Sequence, residues 1–284
     1  MAVRRGWFAR PADAEAAGAV AVVLAHPRLV ISHRSAAAMH AIPVVGARSP
    51  VPEVTIHPRG TGNTAGVHLY RATLATDDIV MLDGSPVTSI ARTVVDLARL
   101  RRIECGVAAI DHVLHEGLVS VDDLERVLAR CWNWPGARRA RRALELSDAR
   151  AESPLESVSR LVIRWLHLPM PELQVVVCDR YGFVVARLDF YWEEFGVAGE
   201  ADGKAKYLLG EDAYGREKTR QESLEDEGVV FARWGWREAW RDRPVIASKL
   251  LNAFERGRAR DASGFPRFWS VVRPPTEQNR GKAG

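Results

Sequence analysis

Asp189, Glu200, Asp202, Lys204 and Lys206 fall within one stretch of the chain, in the run RLDFYWEEFGVAGEADGKAK. Phe183–Trp192 and Val197–Asp202 read as strands, and Glu193–Gly196 as the turn between them. With four residues in the turn and no bulge, Trp192 pairs with Val197. That register sets Asp189 across from Glu200 and Arg187 across from Asp202. Directly opposed residues hold their Cβ atoms roughly 4.5–5.5 Å apart, and two carboxylates so placed repel unless something compensates. Mg²⁺, with Mn²⁺ able to substitute, would compensate, and a hard cation of this kind is held by one or two carboxylates plus substrate phosphates. A metal at Asp189, Glu200 and Asp202 would activate water for phosphodiester hydrolysis. Glu200, Asp202, Lys204 and Lys206 share strand parity, so Lys204 or Lys206 would assist the water or the developing charge. Glu156, four residues after Glu152, adds a further carboxylate. Two other outcomes stay open: an ordinary Arg187–Asp202 ion pair, with Lys204 and Lys206 balancing the remaining acids, and a bulge at Gly199 that would change the register.

A second cluster is basic. Arg138, Arg139, Arg141 and Arg142 lie on a helix expected over 136–149, either as a solvated face or as a patch contacting nucleic-acid phosphates. His33 and His40 read as cap or core residues, Arg92 and Asp96 as a helix-surface pair, and Trp234, Trp236 and Trp240 as core and rim packing. Neither GxGxxG nor GxxxxGK[ST] occurs, so no nucleotide cofactor is expected.

The elements that position these residues fall into two portions. Up to about residue 149, helices at 13–25 and 33–41 precede short strands at 53–57, 67–71 and 78–82. A helix capped by Thr88 or Ser89 follows, then helices near 104–116, 120–131 and 136–149. From 150 the order is a helix opened by Ser153-Pro154, strands at 173–178, 183–192 and 197–202, a polar helix over 211–227, a strand at 229–233 and a helix at 245–257. Residues 261–284 read as a flexible tail. The 284 residues carry a formal net charge of +4, which permits a nucleic-acid partner without demanding one. Three widely spaced cysteines fit neither a disulfide framework nor a metal spacing. No apolar run reaches the ~20 residues of a bilayer span, so no membrane association is expected and the expected location is cytoplasmic.

Two resemblances add to this reading. The run RLDFYW…GVAGEADGKAKY, after ESPLES and before VVFAR, resembles the restriction-endonuclease-like superfamily with the PD-(D/E)XK core, in the branch related to very-short-patch repair endonucleases. It implies an α/β domain over 150–260, with Asp189, Glu200 and Asp202 as metal acids and Glu156 as the helix acid. The third strand carries Glu-Ala-Asp rather than acid-x-Lys, which leaves the lysine role between Lys204 and Lys206. The segments SHRSAAAMHAIPV and VHLYRATLATDDIVMLDGSPVTSIARTVVDLAR resemble actinobacterial proteins grouped with type IV antitoxins of the AbiEi kind. That implies an α+β region over 1–149 whose winged helix is truncated or absent. Together the resemblances imply a DNA-acting protein, either a Mg²⁺-dependent endonuclease or a non-enzymatic DNA-binding antitoxin with a cognate toxin as partner.

Overall fold

The computed structural model describes residues 2–4, 7–8, 14–46, 49–61, 66–179, 181–201, 224–225, 228–259 and 270–272. The chain forms two compact units, residues 1–149 and 150–284. Each is mixed α/β and built on a mixed sheet.

In the first unit, β1 (Ala2–Arg4) and β2 (Trp7–Phe8) form a small antiparallel pair. α1 (Ala14–Ala25), β3 (Val30–Ile31), α2 (His33–Met39), β4 (Glu53–Ile56), β5 (His68–Arg71), β6 (Ile79–Leu82) and β7 (Ser85–Thr88) follow. The five-stranded sheet runs β5-β4-β3-β7-β6. β3 pairs antiparallel with β4 and parallel with β7. Ala19 and Val23 of α1 and Ala36 of α2 pack with Ile31, Val54, Ile56 and Val87 of the strands. Strands β3 and β7 are absent from the sequence reading. One is two residues long and the other contains Pro86, so neither has a period to detect.

Four helices complete this unit: α3 (Ile90–Leu100), α4 (Ile103–His115), α5 (Val121–Arg130) and α6 (Ala137–Leu146). α3 packs against the other three and against α2, so every residue from Arg92 to Arg99 is buried. Its polar side chains are therefore largely shielded from water and must be paired inside the protein. Asp96 does this for two arginines. Its Oδ2 accepts from Arg92 Nε at 2.7 Å and its Oδ1 from an Arg99 terminal nitrogen at 2.6 Å. Arg92 also donates to Asp78 at 2.9 Å, and Asp78 accepts from Arg130 of α5 at 2.6 Å. The sequence reading placed Arg92 and Asp96 on a helix surface. They are instead 2% and 1% exposed, because α3 has neighbours all around it. Gly136 opens α6 with φ +82°, and a Cβ there would lie 2.1 Å from the Arg99 carbonyl oxygen.

The second unit begins with α7 (Pro154–Trp165). Ser153 caps it, its Oγ accepting from the Glu156 amide at 3.2 Å, and Pro154 occupies the first turn where no donor is needed. β8 (Glu172–Cys178), β9 (Val184–Trp192), β10 (Val197–Ala201), β11 (Val230–Trp234), α8 (Trp236–Arg241), α9 (Arg243–Ala259) and β12 (Ser270–Val272) follow. The sheet order is β11-β10-β9-β8-β12, antiparallel except for the parallel pair β10–β11. The expected pairing of Trp192 with Val197 is present, and the ladder runs on through Gly199 opposite Phe190 without a bulge. Glycine at 199 has a steric cause. A Cβ there would lie 2.7 Å from the Trp234 ring and 2.9 Å from the Trp192 ring. Trp234 is held in turn by its indole N–H, which donates to Ser159 Oγ of α7 at 2.7 Å.

Residues 261–284 were expected to form a loose tail. Ser270–Val272 instead add an edge strand to β8. The expected polar helix over 211–227 lies almost wholly outside the described residues.

The doubly used Asp96 is the vulnerable point of the first unit. Removing one member of a buried ionic group strands the others and costs about 3–5 kcal/mol. Asp96→Ala is expected to lower stability by that amount in urea denaturation, far more than Asp123→Ala on the surface of α5.

Candidate functional site

Among the described residues, Glu156, Asp189 and Glu200 each have a protein donor. Glu156 is the third residue of α7, and its Oε1 accepts from Ser153 Oγ at 2.6 Å. Its Oε2 accepts from the Glu152 amide at 3.1 Å and from Gln174 Nε2 at 2.7 Å. Gln174 sits in the middle of β8 with φ +53°, a left-handed conformation that costs a non-glycine residue free energy and accumulates at functional positions.

Asp189 and Glu200 fall one rung beyond the last recorded pair of the β9–β10 ladder. Asp189 Oδ2 accepts from the Ala201 amide at 3.0 Å. Glu200, 6% exposed, lies in parallel register with Arg233 of β11, and Arg233 Nε donates to its Oε2 at 2.6 Å. Arg187 lies opposite Val176 of β8 and pairs with Glu152 at 2.5 Å; its expected partner on the β10 side, Asp202, lies outside the described residues. Asp202, Lys204 and Lys206 lie outside the described residues.

These donors decide how well a divalent cation fits. Among the described residues no group of three or more His, Cys, Asp or Glu side chains is gathered so as to hold a metal ion. A guanidinium already supplies positive charge at Glu200, and a carboxylate engaged by it is a poorer ligand for a cation. Arg233 and Gln174 were missed by the sequence reading. Their roles come from the parallel β10–β11 register and from a backbone reversal inside a strand, and neither leaves a local pattern.

In the first unit the arginine helix divides its labour. Ala137, Ala140, Ala143 and Leu146 form the buried stripe of α6. Arg139 donates to the carbonyls of Arg99 and Arg101 at 3.3 and 3.0 Å, which ties α6 to the end of α3. Arg142 pairs with Glu145 at 2.8 Å. Arg138 and Arg141 project on the exposed side.

The unit also contains an open cleft of about 440 Å³, with His33, Tyr70, Arg92, Asp96, Arg99 and Trp134 in its wall. Both buried arginines lie 4.8 Å from the centre of the Trp134 ring, within cation–π range. His33 adopts φ +51° at the start of α2 and stacks on Tyr70 with ring centres 3.5 Å apart. Burial drives the His33 pKa down to about 4, against weaker opposing effects of Asp96 and Glu53. His40, the other histidine near α2, has its Nε2 2.7 Å from the Thr88 carbonyl oxygen.

Residues 16–148 match the AbiEi antitoxin C-terminal domain family. The first unit is thus AbiEi-like, and the cleft, the Asp96 network and the arginine helix all lie inside the matched span. Two uncharacterized proteins of Mycobacterium tuberculosis, from the CDC 1551 / Oshkosh and H37Rv strains, are each 29% identical to the chain over 177 residues. The alignment takes in 62% of this chain and 65% of each relative. The chain therefore spans just under two thirds of the relatives' length. No solved structure matches. No helix among the described residues is long and apolar enough to cross a membrane.

The buried His33 gives the AbiEi-like unit a pH signature. The unfolded imidazole takes a proton below its usual 6.5, whereas the folded one takes it only near 4. Stability is therefore complete above pH 6.5 and falls between these two values, at up to about 1.4 kcal/mol per pH unit. Urea denaturation across that range is expected to show this slope in the wild type and a shallower one in His33→Gln.

Proposed function

We propose that the protein is a non-enzymatic, DNA-binding regulator of antitoxin type that works with a cognate toxin protein. The match of residues 16–148 to the AbiEi antitoxin C-terminal domain family carries this reading. Two features of the geometry support it. Arg138 and Arg141 stand on the exposed side of α6, which Arg139 anchors by two hydrogen bonds, so their charges are presented from a fixed support. Guanidinium groups so placed suit phosphate oxygens. In the second unit, Glu156, Asp189 and Glu200 are engaged by Ser153, Gln174, Ala201 and Arg233, an arrangement suited to holding structure. On this reading the second unit keeps a restriction-endonuclease-like order of elements and contributes a DNA-facing surface.

A second reading, Mg²⁺- or Mn²⁺-dependent phosphodiester hydrolysis, draws support from the adjacency of Asp189 and Glu200 on neighbouring strands. It needs Asp202, with Lys204 or Lys206, to complete the set.

One assay separates the two. Supercoiled plasmid is incubated with the full chain and either metal, and a labelled duplex is titrated with the same protein. The expected result is a shifted duplex and uncut plasmid for both wild type and Asp189→Ala, with Arg138→Ala/Arg141→Ala binding about tenfold more weakly at moderate salt. Metal-dependent nicking that disappears in Asp189→Ala would establish the second reading instead.

A further inference from the structure

We propose that the cleft of the AbiEi-like unit is a binding site for a small organic anion, a carboxylate or phosphate ester attached to an apolar body. Its size is right, since clefts of roughly 300–1,000 Å³ take small molecules and this one measures about 440 Å³. Pro58, Leu100 and Pro135 supply apolar wall. The polar groups are mostly hydrogen-bond donors, and two of them are unused.

The neighbours of His33 favour one tautomer. Thr55 Oγ1 donates to Ser32 Oγ at 2.8 Å. The Ser32 hydroxyl proton is then available to His33 Nδ1, 2.9 Å away. With Nδ1 accepting that proton, Nε2 carries the ring hydrogen; the other tautomer, Nδ1–H donating to Ser32 Oγ, leaves Nε2 an acceptor. That Nε2 is buried with no hydrogen-bond partner among the described residues, and Arg99 Nε is in the same condition. A buried unpaired donor is costly and calls for an explanation. Both belong to residues of the cleft wall, and His33 also carries a strained backbone; the two nitrogens have almost no accessible surface, so a ligand acceptor meets them only when the wall side chains shift on binding. Burial also raises the Tyr70 phenol to about 12, so it stays a neutral donor.

Charge sets the sign of the ligand. The wall holds three guanidinium groups, on Arg71, Arg92 and Arg99, against one carboxylate, Asp96. Asp78, which pairs with Arg92, balances one more. The exposed Arg71 remains in excess over this set. Apolar wall, unmet donors and a net positive edge together select an anion with an organic body over a bare ion.

Isothermal titration calorimetry of the full chain with benzoate, deoxyadenosine monophosphate and inorganic phosphate tests this. Benzoate or the nucleotide is expected to saturate below about 1 mM, with inorganic phosphate at least tenfold weaker. Which of the two binds distinguishes a carboxylate from a phosphate-ester ligand. Thr73→Trp, a change at an exposed wall residue, should abolish binding without lowering Tm, and Tyr70→Phe should weaken it several-fold. In ¹⁵N-histidine spectra the His33 Nε2 signal should move on ligand addition. Saturation by none of the three probes at about 10 mM, binding that survives Thr73→Trp, or inorganic phosphate binding as tightly as the organic anions would overturn the proposal.

Discussion

The Asp96 carboxylate holds the first unit together. It lies on the buried stretch Arg92–Arg99 of α3 and receives two guanidinium groups, one of which passes the connection on to Asp78 and, through it, to Arg130 of α5. Four pieces of structure are thereby tied: the start of β6, α3, α5 and the Trp134–Pro135 segment, whose carbonyl accepts from Arg99 at 3.1 Å. A buried network of this kind contributes little net stability, because desolvation offsets most of the attraction. Its stronger effect is on specificity, since alternative packings would leave a charge unpaired. The same residues line the cleft and abut the helix that presents Arg138 and Arg141. On the proposed reading, packing and binding in this unit draw on one set of side chains.

The second unit is organised by apolar contact. Gly199 lets the Trp234 and Trp192 rings close over β10, and Ser159 fixes Trp234 to α7. The sheet edge that results brings Asp189 and Glu200 near the end of the β9–β10 ladder. Their charges are met by the Ala201 amide and by Arg233. An acidic strand end is thus compatible with two uses, and the donors around it favour the structural one.

Much of this was legible in the sequence. The Trp192–Val197 register followed from turn length, α7 from Ser153-Pro154, and α3 from the spacing of Ile90, Val94 and Leu97. What escaped was non-local. Arg92 and Asp96 look like a surface pair at i,i+4, and only the packing of α4, α5 and α6 around α3 buries them. Arg233 reaches Glu200 through a parallel pairing 33 residues away in sequence. Gln174 contacts Glu156 because the chain reverses its φ inside a strand. The segment carrying Asp202, Lys204 and Lys206 lies outside the described residues. The arginine helix was recognised as a whole, yet its four arginines divide into an anchor, an ion pair and two outward charges.

The most direct test of a DNA-binding role centred on α6 is the salt dependence of duplex affinity. Fluorescence anisotropy at several salt concentrations gives log K against log salt, whose slope is about −0.9 per phosphate neutralised. Arg138→Ala and Arg141→Ala should each make that slope shallower by about one, with similar loss on unrelated duplexes. Slopes unchanged by both substitutions would contradict the account.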